Sequence, residues 1–316
     1  MEKLRLMYVA DLHGSETIWR KWINAQSMYE IDVSILAGDL SGKVIVPIIK
    51  QEDGSYICRH EGRVDKASNT SELDAITYRL KTRGIYPYIT TQEEVNALKS
   101  NPDKVEVLFQ QVINDELDRL LTVTEKIIQD DKTAVVCPGN DDIKEMDKII
   151  ERHQKIINPL GKVVRLPMGY EMISMDYSNP TPWKTPRECS EDELWKKLEA
   201  LPPMTSGNWK KIICNFHCPP YGTRLDLAPK LDKTLKPVYN LGIPEFINVG
   251  STSIRKFLEK YQPILSLHGH IHESAGTENI GETMAMNPGS EYTAGILKGV
   301  IVELNESGLV NWFKIG

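Results

Sequence analysis

Short apolar runs that end abruptly in polar turns recur along the chain. Runs of four to eight apolar residues bounded by turn signals are typical of buried β-strands. The pattern predicts strands at residues 4–10, 31–37, 133–137, 170–175, 211–216, 264–268, 283–287, 296–304 and 310–315. Most of these runs are too short for helices, and they are separated by segments with a different spacing.

Apolar residues three or four positions apart predict amphipathic helices between several of these strands. Ile18, Trp22, Ala25 and Tyr29 have this spacing and mark the first helix. A long apolar stripe follows Asn101-Pro102, a plausible helix start, and it is typical of core packing rather than of a cofactor box. The pattern places helices at about residues 16–29, 102–128, 142–157, 190–200 and 254–261, the third and fourth opened by capping boxes.

Residues 43–131 interrupt this alternation. The runs at 43–49 and 55–59 resemble a β-hairpin with Asp53-Gly54 at its turn, whereas residues 61–91 are mixed and polar. We interpret the whole stretch as one large insertion into a single domain spanning residues 1–316. Because the insertion begins just after Asp39, we expect it to roof a site at that strand end; a core extension or an oligomer contact are the alternatives.

Composition narrows the classes of function. Of 316 residues, 41% are hydrophobic and 26% charged, which is ordinary for a soluble globular protein. A net charge of −6 argues against a broad duplex-binding face, so nucleic acid is not indicated as a partner, although a local basic pocket is compatible with it. The odd number of cysteines, five, favours reduced thiols. With neither a signal-peptide pattern nor an apolar run near the ~20 residues of a membrane span, we expect a soluble, cytoplasmic protein.

Candidate metal ligands follow several of the predicted strands. A single Asp in such a turn is usually structural, but polar donors recur at the ends of five strands. The donors are Asp11, His13, Asp39, Asn140, His217, His270 and His272. Because loops converge beyond the carboxyl ends of strands in α/β sheets, we expect these side chains to meet. Seven N and O donors exceed one tetrahedral zinc site and fit two divalent ions, such as Mn, Fe, Ni or Zn, sharing a bridging carboxylate.

The order Asp-x-His, Gly-Asp, Gly-Asn, His and Gly-His-x-His resembles that of the calcineurin-like metallophosphoesterase superfamily. The resemblance runs from Leu4 to Ser290 outside the insertion, and Asn287-Pro-Gly-Ser290 is similar to the smaller prokaryotic phosphoesterases. It implies an α/β fold, specifically a four-layer α/β/β/α sandwich. It also implies two metal sites, one formed by Asp11, His13, Asp39 and His272 and the other by Asp39, Asn140, His217 and His270.

This resemblance implies a hydrolase acting on phosphate esters. Two ions ~3.5–4 Å apart can polarise a phosphoryl group and activate a bridging water as nucleophile. We therefore expect a metal-dependent phosphoesterase, favouring phosphodiesters, with a small-molecule or nucleotide substrate and no membrane partner. The alternatives are a non-catalytic scaffold of the same fold, which would need none of the seven donors, and a metal-dependent nuclease, which would need a nucleic-acid groove.

Asp141 departs from the family motif, in which a histidine is thought to contact the phosphate or protonate the leaving oxygen. An ionised Asp would repel phosphate, whereas a protonated one can donate a proton. Equally, Asp141 can be a helix-end residue without chemistry. Some superfamily members lack the histidine and still act on phosphodiesters, so the departure bears on rate and substrate rather than on metal binding.

Further candidates lie around this core set. Asn140 is also a candidate substrate contact, and Arg224 could clamp a substrate phosphate bidentately, with a surface ion pair as the alternative. We expect His268 to be packed or to support a ligand. His60 and His153 have no motif neighbours and are expected in solvent.

Overall fold

The computed structural model describes residues 3–316. Its strands are β1 (Leu4–Ala10), β2 (Val33–Ala37), β3 (Val44–Lys50), β4 (Tyr56–His60), β5 (Arg63–Ala67), β6 (Ile85–Thr90), β7 (Thr133–Cys137), β8 (Ile156–Ile157), β9 (Val164–Arg165), β10 (Glu171–Met175), β11 (Ile212–Phe216), β12 (Leu227–Pro229), β13 (Tyr239–Asn240), β14 (Ile243–Pro244), β15 (Phe246–Asn248), β16 (Leu265–Leu267), β17 (Gly276–Ile280), β18 (Thr283–Asn287), β19 (Gly299–Asn305) and β20 (Gly308–Ile315). Its α-helices are α1 (Glu16–Met28), α2 (Thr70–Thr82), α3 (Gln92–Lys99), α4 (Pro102–Ile127), α5 (Met146–Ile150), α6 (Glu191–Glu199) and α7 (Thr252–Tyr261).

Two six-stranded mixed sheets form the body of the molecule. The first has the order β20-β19-β1-β2-β7-β8, and the second has the order β17-β18-β16-β11-β10-β9. In the first sheet β1, β2 and β7 are parallel neighbours, and in the second β10, β11, β16 and β18 are. The loops that carry the candidate donors therefore leave the same end of each parallel set.

The two sheets pack face to face, with helices on both outer faces. In β1, Leu6 and Tyr8 point into the layer between the sheets, whereas Met7 and Val9 pack against helices. Helices α1, α4 and α5 cover the first sheet, and α6 and α7 cover the second. Strands buried on both faces explain why the sequence shows continuous apolar runs rather than strict alternation. The predicted α/β/β/α sandwich is confirmed.

Residues 43–131 form a smaller sheet with its own helices. The sheet has the order β5-β4-β3-β6, and the predicted hairpin with Asp53-Gly54 at its turn joins β3 to β4. Helix α2 covers this sheet through Ile76 and Leu80, and α4 contributes to the main core. Pro87 lies in β6, which is an edge strand, where a missing backbone N–H is tolerated.

One predicted helix is wrong. The expected helix at 142–157 is only the short α5, and Glu145 at its start makes no capping hydrogen bond. The carboxylate of Asp142 binds backbone N–H groups in other loops instead, so it does not cap this helix. By contrast, the predicted capping box at Ser190 and Glu193 is present in α6. Among the helices of residues 3–316, none has the length and apolar character needed to cross a bilayer.

Candidate metal centre

Four candidate donors occupy a backbone conformation that L-residues rarely adopt. Asp11, His13, Asp39 and His270 have φ values of 57°, 43°, 45° and 68°. Each lies within three residues of the end of its strand, where the chain leaves the pleat and turns sharply. Such residues persist only where the surrounding structure holds them, and they cluster at functional sites. The turn at His270 lets His270 and His272, which are separated by one residue, face the same region.

The first cluster of donors joins the loops after β1 and β16. Asp11, His13 and His272 offer ligand atoms within 4.8 Å of one another. The Nε2 atoms of His13 and His272 are 3.0 Å apart, and the Nε2 atom of His272 is 3.8 Å from Asp11 Oδ1. Two imidazole nitrogens at this distance converge on the same space as a carboxylate oxygen, as metal ligands do.

The second cluster joins the loops after β2, β7, β11 and β16. Asp39, His217 and His270 offer ligand atoms within 4.8 Å of one another. The Nε2 atom of His217 lies 3.0 Å from Asn140 Oδ1 and 3.4 Å from Asp39 Oδ1. The sequence-predicted Asn140 therefore lies beside this cluster.

Asp39 lies between the two clusters. Its Oδ1 is 3.4 Å from His217 Nε2, and its Oδ2 is 3.7 Å from His13 Nε2. The two carboxylate oxygens thus face one histidine from each cluster. This is the arrangement expected of a bridging carboxylate, and all seven predicted donors are brought together around it.

The motif glycines allow this close packing. A Cβ atom on Gly38 would overlap the imidazole ring of His217, and one on Gly139 would overlap the backbone nitrogen and carboxylate of Asp39. Gly38 also has a φ of 77°. Glycine is therefore required at both positions for the loops to approach each other.

The buried carboxylate of Asp142 fixes the loop that carries Asp39. It accepts hydrogen bonds from the backbone N–H groups of Leu40, Ser41 and Gly139 at 2.9 Å each, and from Ser41 Oγ at 2.6 Å. Asp142 is fully buried. It connects two donor-bearing loops without being a candidate ligand itself.

Arg187 supports the Asn140 loop from behind. Its side chain is 2% exposed; Nε donates to the Asp142 carbonyl at 2.8 Å, and Nη1 to Asp176 Oδ2 at 2.7 Å. Its backbone N–H donates to the Asn140 carbonyl at 2.9 Å. The amide of Asn140 donates to Thr185 Oγ1 at 2.7 Å, which leaves Oδ1 facing His217. Nothing in the sequence around Arg187 indicates this role.

The histidine loop after β16 is held by its neighbours. Asn287 Nδ2 donates to the carbonyls of Gly269 and Ile271, and the backbone N–H of His270 donates to Asp11. His268 is buried, with Nδ1 2.8 Å from the Phe216 carbonyl oxygen and Nε2 2.8 Å from Ser266 Oγ. His268 is therefore packed in the interior, which is one of the two roles expected from the sequence.

The electrostatics follow from burying two carboxylates beside several imidazoles. Burial tends to raise the pKa of Asp39, but His217 and His13 hold it well below its usual range. Burial lowers the pKa of His13 well below its usual range and that of His270 to about 3. Burial also opposes a charge on His217, but Asp39 and Asp11 raise its pKa to about 9. The positive charge of His217 therefore offsets the negative charge of Asp39 and Asp11.

The donor set fits a pair of divalent cations. Oxygen and imidazole donors without thiolates suit Mn, Fe, Ni or Zn. The buried Nδ1 atoms of His13 and His217 have no hydrogen-bond partner within residues 3–316. In both residues it is Nε2 that faces Asp39, at 3.7 Å and 3.4 Å, so each imidazole offers that nitrogen as a ligand.

Asp141 lies at the rim of the centre. Its backbone N–H donates to Asp39 Oδ1 at 3.0 Å, and its carboxylate has an oxygen within 4.8 Å of ligand atoms of His13 and Asp39. The carboxylate forms an ion pair with Lys43. The ring of Tyr292 lies 4.8 Å from that of His13, centroid to centroid. Neither Lys43 nor Tyr292 was expected from the sequence.

Three other predicted residues lie outside the cluster. The side chain of Arg224 is 71% exposed, and its Nε is 3.8 Å from Glu278 Oε2. His60 Nε2 lies 3.5 Å from Glu61 Oε1. The expectation that His153 is solvated is wrong: it is 9% exposed, with its ring nitrogens 3.0 Å and 3.2 Å from the carboxylates of Glu125 and Asp118. Those two acids lie on α4, too far along the chain for a local pattern to reveal them.

The inserted sheet contacts the donor loops directly. The backbone N–H of Gly42 donates to the hydroxyl of Tyr86 at 2.9 Å, and Ser15 Oγ donates to the Thr82 carbonyl at 2.6 Å. A Cβ atom on Gly84 would overlap the carbonyl of His13. The insertion therefore lies on the same side of the molecule as the candidate centre.

Comparisons with known proteins give one sequence relative and several structural ones. No family model matches the chain. The uncharacterized protein MJ1162 of Methanocaldococcus jannaschii is 35% identical over 172 residues, which cover 53% of this chain and 70% of that protein. TT1561 of Thermus thermophilus has a similar structure, with a TM-score of 0.51 over 98% of both chains at 12% identity. A novel phosphatase of Mycoplasma pneumoniae has a TM-score of 0.47, with 10% identity over 100% of this chain and 93% of that one.

Proposed function

We propose that this chain, which belongs to the same family as MJ1162, is a metal-dependent phosphoesterase, because its motifs have the order of those of the calcineurin-like metallophosphoesterases. The observation that carries the proposal is the convergence of seven donors on two clusters with Asp39 between them. A non-catalytic scaffold would need none of these donors. The left-handed backbone at four of the donors adds to the argument, because such conformations cluster at functional sites.

The residues divide into two proposed ligand sets that share Asp39. One set is Asp11, His13, Asp39 and His272, and the other is Asp39, Asn140, His217 and His270. When bound, two divalent ions would polarise a phosphoryl group, stabilise its developing charge and activate a water as nucleophile. The chain itself orients these donors through Asp142, Arg187 and Asn287.

Within this class we propose phosphodiesters, of small-molecule or nucleotide type, as preferred substrates. The support is Asp141 in the place of the family's histidine, since some superfamily members without that histidine act on phosphodiesters. Asp141 pairs with the Lys43 ammonium group as an ionised carboxylate, which has no proton to give to a leaving group. Esters whose leaving groups depart as stable anions, such as nitrophenolate, should then react far faster than alkyl esters.

Metal analysis and Asp39→Asn together test the proposal. We expect the purified protein, reconstituted with Mn, Fe, Ni or Zn, to bind two ions per chain and to hydrolyse bis(4-nitrophenyl) phosphate. Asp39→Asn removes the carboxylate that faces both clusters, so most of both ions and at least about 10²-fold in turnover should be lost. Asp74→Asn, an exposed carboxylate on α2, is the matched control. Two tightly bound ions with parental turnover in Asp39→Asn would refute the bridging assignment.

Single-cluster variants test the division of the ligands. His217→Ala removes a donor from the second cluster, and His272→Ala removes one from the first. Each should deplete one ion of the pair preferentially, as measured by metal content after dialysis against a fixed free-metal concentration. If either variant retains both ions with parental affinity, the ligand assignment is wrong.

A further inference from the structure

Lys43 provides a positive charge at the rim of the candidate centre. It is four residues beyond Asp39 and directly precedes β3, the first strand of the insertion. Its ammonium group pairs with the carboxylate of Asp141, while its side chain remains 55% exposed. The ammonium group of Lys43 is therefore held by the Asp141 carboxylate but is still accessible to solvent.

The surroundings of this ion pair place it beside the metal ligands. The Asp141 carboxylate has an oxygen within 4.8 Å of ligand atoms of His13 and Asp39. The ring of Tyr292 contacts that of His13. Burial raises the pKa of Tyr292; among the nearby charges, Lys43 lowers this pKa and Asp141 raises it. Burial tends to lower the pKa of Lys43, but Asp141 and Asp39 raise it, so the ammonium stays charged.

Asp141 creates an electrostatic problem for a phosphate ester. The superfamily's neutral or cationic histidine is replaced by a carboxylate, which would repel an approaching phosphoryl group. An ammonium has three N–H donors, so one can bind Asp141 while the others remain available. Lysine binds phosphate as a compact point charge, and the exposed head of Lys43 has this character.

We propose that Lys43 contacts a phosphoryl oxygen of the substrate, supplying the phosphate-binding charge that the missing histidine does not. This inference rests on the proposed phosphoesterase function and names a residue of its substrate site. Asp141 then acts as a positioning residue, because it holds the ammonium over the centre. Lys43 is the first residue of the insertion, so the insertion contributes directly to the proposed substrate site.

A simpler role for Lys43 is to cancel the charge of Asp141 without touching the substrate. A double-variant cycle separates the two roles. If Lys43 only cancels Asp141, then removing both charges should restore the parental phosphate affinity. If Lys43 contacts phosphate, the double variant should still bind phosphate more weakly than the parent, although more tightly than Lys43→Met, in which the Asp141 charge is left uncompensated.

The experiment measures binding of inorganic phosphate to the metal-loaded protein by calorimetry. The variants are Lys43→Met, Lys43→Arg, Asp141→Asn and the double variant Lys43→Met/Asp141→Asn. We expect Lys43→Met to weaken phosphate binding roughly tenfold to a hundredfold, with Lys43→Arg retaining most of it. The matched control is Lys50→Met, at the exposed far end of the same strand β3. Metal content is measured for every variant, and affinities are compared at equal loading.

Two results would overturn the proposal. Parental phosphate affinity in Lys43→Met would show that the ammonium makes no contact, and parental affinity in the double variant would show that it only neutralises Asp141. Phosphate affinity is measured without turnover, so this result is independent of hydrolysis. A protein that binds phosphate through Lys43 but cleaves no phosphoester would refute the proposed function and leave the contact established.

Discussion

At the scale of single residues, the candidate centre depends on backbone turns that are held by hydrogen bonds between loops. The N–H of Asp11 donates to the Gly38 carbonyl at 3.2 Å, and that of His13 to the Asp39 carbonyl at 2.9 Å. The loops after β1 and β2 are thus fastened to each other where both are left-handed. The donors are therefore positioned by the folded backbone rather than by flexible side chains.

Asp142 offers a test of how much this fastening contributes to stability. Asp142→Asn replaces a carboxylate that accepts four hydrogen bonds with an amide that presents its own N–H groups to the same donors. We expect the free energy of unfolding of the metal-free protein to fall by about 2–4 kcal/mol, since hydrogen bonds to charged groups contribute about 1.5–3 kcal/mol each and are not additive. Urea denaturation measures the change.

Asp232→Asn is the control for this comparison. Asp232 also accepts hydrogen bonds, from the backbone N–H groups of Thr234 and Lys236, but it is exposed. The control should change stability much less than Asp142→Asn does, because water can replace the lost partner. Equal effects of the two substitutions would show that burial of Asp142 is unimportant.

The candidate donors could be predicted from the sequence, whereas their supports could not. Each donor follows an apolar run, so a local pattern marks it. Asp142 bonds to Leu40 and Ser41, about a hundred positions earlier, and Lys43 pairs with Asp141 across a similar separation. No local pattern carries such contacts, because they exist only after the sheet has brought the loops together.

At the scale of elements, Glu16 links three helices next to the donor loops. Its carboxylate lies in the first turn of α1 and binds Arg20 Nε at 2.8 Å within the same helix. It also pairs with Arg119 of α4 and lies 3.3 Å from Lys81 Nζ of α2. The insertion is therefore joined to the helix that follows His13 by ion pairs as well as by packing.

The pH dependence of Glu16→Gln should show this link. Burial tends to raise the pKa of Glu16, but hydrogen bonds from Arg119 and Arg20 lower it to about 2. A depressed folded-state pKa stabilises the protein above the unfolded value near 4.5, and the benefit is lost as the pH falls towards 2. Allowing for solvent screening, Glu16→Gln should lower the unfolding free energy by about 1–2 kcal/mol at pH 7. The difference from the parent should vanish near pH 2.

Urea denaturation between pH 2.5 and 7 measures the effect. Glu52→Gln, an exposed residue in the hairpin turn, serves as control and should show no pH-dependent difference. A constant difference between Glu16→Gln and the parent across this range would mean that packing, not charge, accounts for the loss.

Element boundaries were predictable where burial alone decides structure. The bounds of β1, β7 and β18 agree with the apolar runs, because strands buried between layers need continuous apolar sequence. Helix α2 and strands β5 and β6 were not predicted, since residues 61–91 bury only part of each element and their pattern is correspondingly mixed. The predicted helix at 142–157 is reduced to α5 because the carboxylate of Asp142 accepts hydrogen bonds from Leu40 and Ser41 instead of capping a helix.

At the scale of the whole molecule, the candidate centre joins the two sheets. The first sheet supplies Asp11, His13, Asp39 and Asn140, and the second supplies His217, His270 and His272. The position of the donors at strand ends predicts that they meet, whereas no local pattern states which of these strands share a sheet. Cations held by these residues would have ligands from both sheets and would therefore connect the sheets at this point.

Chelation should therefore lower the thermal stability of the molecule as a whole. A ligand that binds only the folded state at a hundred times its dissociation constant stabilises it by about 2.7 kcal/mol. For a chain of this size, each kcal/mol corresponds to roughly 2–4 °C, so removing metal should lower the melting temperature by several degrees. Differential scanning calorimetry of the metal-loaded and the chelator-treated protein measures this shift, and restoring the metal should reverse it.

Asp39→Asn should show little response to chelator, because it has lost the carboxylate that faces both clusters. If the parent melts at the same temperature with and without metal, the seven donors do not bind ions tightly enough to connect the sheets. An equal shift in Asp39→Asn would instead place the bound metal away from this centre.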